Sequence, residues 1–184
     1  MPTEHEYKYV LNIATHDSYF KKCCKKHLVI QQGYLAFSKG MTCRVRSSRE
    51  EGQSDRHTKW FLTFKQKVRK RVIEVEQQLD QRDGKDLWSV CVGKLKKDRY
   101  VIDNNDNTWE VDFFNNGNLY FVMAEVELEE GSTRPELPLF ISANLLYEVP
   151  LTDDRFGNKR LGDAEYATEI YNKIVQGEID DNHN

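Results

Sequence analysis

Several strand-like stretches of this chain repeat a charge of the same sign at positions i and i+2. The pairs are Arg44 and Arg46, Glu74 and Glu76, Lys97 and Arg99, and Glu125 and Glu127. Near the N-terminus Glu4 and Glu6 are followed at the same spacing by Lys8. A spacing of two places side chains on one face of a strand and scatters them on a helix. The alternate positions are apolar: Tyr7 and Tyr9, Val45, Val75, Val126 and Leu128. Asp112 sits singly between Val111 and Phe113, and Lys65 follows Trp60-Phe61-Leu62-Thr63-Phe64. Such a chain folds into antiparallel sheet with one apolar and one charged face.

Two readings of the charged face are open. In one it meets water, and the charges form cross-strand ion pairs worth roughly a few tenths of a kcal/mol each. In the other it lines the lumen of a barrel. Segregated like charges and a near balance of sign suit the second. Carboxylates there hold a hard divalent cation, and Arg and Lys hold a polyanion.

Net charge is −3, from 27 Lys and Arg against 30 Asp and Glu, which argues against a surface that grips nucleic acid all over. The 184 residues read as one domain over 1–177 with an acidic tail at 178–184. No apolar run approaches the ~20 residues that span a bilayer, so no membrane partner is expected. The acidic start Met1-Pro2-Thr3-Glu4 shows no secretory pattern. Cys23, Cys24, Cys43 and Cys91 have no zinc-ligand spacing, and a reduced, cytoplasmic chain is expected.

Periodicity and turn residues predict strands at 4–13, 28–36, 41–48, 59–66, 71–79, 95–103, 108–114 and 120–130. Helices are predicted at 17–27, 80–92 and 163–176, the last capped by Gly177. The stretch 131–147 carries a possible short helix. The class is α+β, mainly antiparallel β.

In order along the chain, Glu4-His5-Glu6-Tyr7-Lys8 (ExExK), Gln32-Gly33-Tyr34-Leu35, Arg44-Val45-Arg46, Leu62-Thr63-Phe64-Lys65 and Glu74-Val75-Glu76 resemble the CYTH domain of the triphosphate tunnel metalloenzymes. Lys97-Asp98-Arg99-Tyr100, Glu110-Val111-Asp112-Phe113-Phe114, Ala124-Glu125-Val126-Glu127-Leu128 and the run Thr152 to Lys159 continue the resemblance, which covers about residues 4 to 161. The segment from Leu137 to Thr152 departs from the family by lacking its Trp, and the His-Phe pair that precedes ExExK in class IV adenylyl cyclases is absent.

The resemblance implies a closed eight-stranded β-barrel with flanking helices, binding a triphosphate and a divalent metal, Mg2+ or Mn2+. It implies Glu4, Glu6, Glu125 and Glu127 as metal ligands. Lys8, Arg44, Arg46, Lys65, Lys97, Arg99, Arg155 and Lys159 would contact phosphate oxygens, although Arg155 could instead pair with Asp153 or Asp154. Glu74, Glu76 and Asp112, with Glu4, Glu6 and Lys8, would make up the catalytic set. The implied reaction is hydrolysis of a terminal phosphoanhydride. Cyclisation of ATP and non-catalytic binding of a polyphosphate are the alternatives. The expected partner is a small triphosphate-containing molecule rather than an RNA 5′ end, with the chain a monomer or homodimer. Lys65-Gln66-Lys67-Val68-Arg69-Lys70-Arg71 reads as a solvated hairpin end with Lys65 alone turned inward.

Overall fold

The computed structural model describes residues 5–15, 17–38, 40–69, 71–129 and 131–179, without the side chains of His5 and Phe37. The nine strands, in chain order, are β1 (His5–Leu11), β2 (Lys26–Ser38), β3 (Met41–Glu50), β4 (Lys59–Val68), β5 (Arg71–Leu79), β6 (Val92–Asn104), β7 (Asn107–Asn115), β8 (Leu119–Leu128) and β9 (Leu145–Val149). The α-helices are α1 (Asp17–Cys23), α2 (Gln81–Ser89), α3 (Leu139–Ser142), α4 (Asn158–Leu161) and α5 (Ala164–Gln176). The contacts group into two compact units, Met1–His27 with Asp98–Asn184, and Leu28–Lys97.

In the first unit the strand order is β6-β7-β8-β1-β9. Strand β1 pairs antiparallel with β8 on one side and β9 on the other, and β7 pairs antiparallel with β8. One sheet face buries Tyr9, Trp109, Val111, Phe113 and Ala124. Helix α1 drives Phe20 into this layer, where its ring meets Phe113 edge-on at 5.5 Å. The helix stops at Cys23, short of the predicted His27, because the chain turns into β2. Lys25 N donates to Val101 O at 2.8 Å, and the His27 ring stacks on Tyr100 at 4.4 Å.

The opposite face of β8 changes character along its length. Phe121 and Met123 are buried apolar positions, while Glu125 and Glu127 follow at the same alternation. Helix α5 and the 3-10 turn Asp154–Phe156 cover the apolar end: Tyr171 of the helix and Phe156 of the turn meet the Phe121 ring at 6.3 and 6.4 Å. The helix is capped by Asp163, whose carboxylate accepts from the Glu165 and Tyr166 amides, and ends at Gly177 with φ 70°. Its role is packing, since Ala167, Ile170, Tyr171 and Ile174 are all buried.

In the second unit the order is β5-β4-β3-β2, antiparallel throughout. Val45, Trp60 and Cys91 form the core, with Leu62, Leu79, Leu87 and Trp88 against it. Helix α2 approaches Trp60 through Gly84, where an added Cβ would stand 2.3 Å from Trp60 Cγ. The helix is shorter than the predicted 80–92 because Val92 already belongs to β6.

The resemblance implies eight strands, and the described residues form nine. Among the described residues β5 pairs only with β4 and β9 only with β1, so no pairing closes a barrel. The additional strand is β9: five residues without a charge pair, next to Pro150, supply no alternation long enough to read. It forms because it hydrogen-bonds to the free edge of β1.

Candidate functional site

The charged faces expected from the i, i+2 spacing exist in both units, and their neighbours follow from register. In the first unit Lys8 stands opposite Glu125, and Glu6 opposite Glu127. On the other side of β8, Glu125 stands opposite Glu110. Like charges directly across a ladder repel, so this face needs cations. Lys8 supplies one, with Nζ 2.6 Å from Glu6 and 3.0 Å from Glu125. Burial, the largest influence, disfavours its ammonium, but Glu125 and Glu6 outweigh it and hold the pKa above the usual lysine value.

Arg99 supplies the other cation. Its Nε and Nη2 donate to the two oxygens of Asp112, each at 2.7 Å. Nη2 also reaches Glu125 at 3.2 Å, and Nη1 donates to Glu110. Asp112 is fully buried and Glu125 nearly so. Burial opposes the guanidinium charge, and Asp112, Glu110 and Glu125 together raise its pKa further despite that. Most of the Arg99 donors are thereby committed to carboxylates, and Asp112 clamps Arg99.

In the second unit the face opposite the core carries Arg44 and Arg46 on β3, Thr63 and Lys65 on β4, and Glu74 and Glu76 on β5. Lys65 Nζ lies 2.9 Å from Glu74, and Arg46 Nη2 3.4 Å from Glu76. Thr63 Oγ1 donates to Glu76 at 2.7 Å. Arg44 differs in making no ion pair with a described carboxylate, and its Nε is buried without a hydrogen-bond partner. Its neighbour across the β2–β3 ladder is Tyr34, whose phenol is pushed up by burial against the opposing pull of Arg44. Lys97 is buried on β6.

Glu4 lies outside the described residues. Glu6, Glu125 and Glu127 are brought onto one face, but among the described residues no three His, Cys, Asp or Glu side chains converge on a metal position. Arg155 takes the alternative reading: its Nη2 lies 2.7 Å from the buried Asp153 carboxylate, and its Nε 2.9 Å. Lys159 is exposed in α4. Two residues absent from the expected site belong to these clusters, Glu110 and Thr63. Glu110 carries the same signal, an acid two residues before Asp112, whereas the uncharged Thr63 shares only the spacing with Lys65.

No protein-family model matches the chain, and no curated protein does. Among solved structures, the hypothetical protein NE1496 is 24% identical with a TM-score of 0.54, over 87% of this chain and 97% of that one. The PH1012 protein of Pyrococcus horikoshii is 17% identical with a TM-score of 0.50, over 71% and 80% of the two chains. A Bacillus halodurans protein described as a "putative adenylate cyclase" is 13% identical with a TM-score of 0.48, over 99% of this chain and 95% of that one. The first two likenesses show that the chain shares the fold of those proteins, and they extend no further than the fold.

Proposed function

We propose that this protein is a divalent-metal-dependent triphosphatase that releases orthophosphate from inorganic triphosphate or an organic triphosphate. The closed tunnel of the CYTH resemblance belongs to this proposal. The observation that carries it is Arg44, a cation whose buried Nε has no hydrogen-bond partner. A buried, unsatisfied guanidinium nitrogen is costly unless an anion meets it.

The donor chemistry fits Mg2+ or Mn2+. Glu6 and Glu127 oppose one another across the ladder, and hard cations of this kind take carboxylate oxygens while keeping several waters. Glu6, Glu127 and Glu125, with Glu4, are the residues that would hold the ion. When bound, the metal supplies charge neutralisation and a water of lowered pKa. The CYTH resemblance gives Arg44, Arg46, Lys65 and Lys97 as the residues that bind phosphate oxygens. Lys8 and Arg99 balance the negative charge of the carboxylates around them. Asp112 keeps the Arg99 fork in place. Phosphoryl transfer depends mainly on such positioning and charge neutralisation.

The test is product analysis. The protein is incubated with inorganic triphosphate or ATP, with Mg2+ or Mn2+ and with chelator. The expected products from triphosphate are orthophosphate and pyrophosphate, lost with chelator and lost in Glu127→Gln. Arg44→Ala should raise the KM for triphosphate at least about tenfold, given about 1.5–3 kcal/mol for a charged hydrogen bond. Cyclic AMP from ATP, or no product from either substrate, would replace this reading.

A further inference from the structure

The β4–β5 hairpin end is not used by the proposed chemistry beyond Lys65. Strand register pairs Val68 with Arg71, and Arg69 stands in the short turn between them. Two-residue hairpin turns favour Asn and Gly because their backbone is left-handed. Here Arg69 occupies that region, with φ 56°. A long cationic side chain thus stands where a small residue would be less strained, and such strain is retained where it serves a function.

Residues 65–73 include five cations (Lys65, Lys67, Arg69, Lys70 and Arg71) and no acid. Lys65 is held by Glu74, whereas Lys67, Arg69 and Arg71 make no ion pair with a described carboxylate. Among and just after these cations the hairpin exposes aliphatic side chains. Val68 is 45%, Val72 53%, Ile73 48% and Val75 59% exposed. Val72 lies on one face of the hairpin, and Val68, Ile73 and Val75 lie on the other.

We propose that this hairpin end docks the protein peripherally on an anionic lipid bilayer. Cations alone would serve a soluble polyanion. The exposed valines and isoleucine need an apolar medium as well, and the acyl–headgroup boundary offers both. A second copy of the chain fits poorly, because it would bring the same cations face to face. Attraction is local to the hairpin, since the whole chain is net negative. The expectation of no membrane partner rested on the lack of a spanning run. Peripheral docking needs none, and no described helix is long and apolar enough to cross a membrane.

The test is sedimentation of the full chain with phosphatidylcholine vesicles, with and without phosphatidylserine. Binding is expected only to the phosphatidylserine vesicles. Arg69→Gly relieves the backbone strain and removes one charge. It should therefore raise the melting temperature while weakening vesicle binding about fivefold. Val68→Ser with Val72→Ser leaves the charge unchanged and should weaken binding about tenfold. No binding to phosphatidylserine vesicles overturns the proposal. So does serine-variant binding equal to that of the parent. Short single-stranded RNA that binds parent and serine variant alike, with the vesicles unbound, would assign the patch to a soluble polyanion instead.

Discussion

Asp112→Asn removes one negative charge from a fully buried position and alters little else in shape. The Arg99 side chain is 11% exposed and that of Asp112 0%. With charge centres about 4 Å apart and an effective dielectric of about 20, the attraction lost is about 4 kcal/mol. Two things reduce that figure. The asparagine oxygen keeps one of the two hydrogen bonds, and Glu110 and Glu125 still face the guanidinium. The expected net loss is about 2–3 kcal/mol, somewhat below the roughly 3–5 seen when a buried pair loses one partner entirely. Urea unfolding should register it as a midpoint lowered by about 1–1.5 M at a slope of about 2 kcal/mol/M. The control is Arg99→Met, in whose background Asp112→Asn should cost far less. If Asp112→Asn shifts the midpoint by less than about 0.3 M, or costs the same with and without Arg99, then Asp112 does not clamp Arg99 and the account of this cluster is wrong.

Gly84→Ala replaces a helix-interior glycine and on propensity alone would gain about 1 kcal/mol. The added Cβ would stand 2.3–2.6 Å from Trp60 atoms, so denaturation should instead show a net loss of about 1–3 kcal/mol, with altered tryptophan fluorescence. The Tyr120 hydroxyl, which donates to Leu161 O at 3.1 Å, is pushed up to about 12 by burial and by Asp163. Unfolded, the phenol ionises near its ordinary value of 10.0. Its contribution to stability is therefore complete below about pH 10 and is lost as pH rises towards about 12. Two units correspond to about 2.7 kcal/mol, reduced to about 1–2 by partial solvent contact. Alkaline unfolding of Tyr120→Phe should lack that part of the slope.

Strand positions were legible because alternation is local. The β5 span predicted at 71–79 and the helix at 163–176 match the structure to within a residue. β9 was not legible, since its five residues are recruited by a neighbouring edge. The C-terminal end of α1 was misread for a related reason: Lys26 and His27 continue the helical pattern, but partners on β6 draw them into β2. For the candidate site, the spacing identified which side chains share a face. Glu110 carries the like-charge spacing two residues before Asp112, whereas Thr63 stands two residues before Lys65 with no charge to mark it.

Sequence alone determines that each strand has an apolar and a charged face, because a period of two is a property of single strands. It also determines the sign of charge each strand carries. Tertiary structure alone decides which charges meet. Lys8 finds Glu125 at a separation of 117 residues, and Arg99 spends its donors on Asp112, Glu110 and Glu125. These partners are set by ladder register, and a one-residue slip would turn every charge to the other face. The difference between Arg99, bound by three carboxylates, and Arg44, with a buried unpaired nitrogen, is a matter of neighbours across strands, which no local pattern encodes.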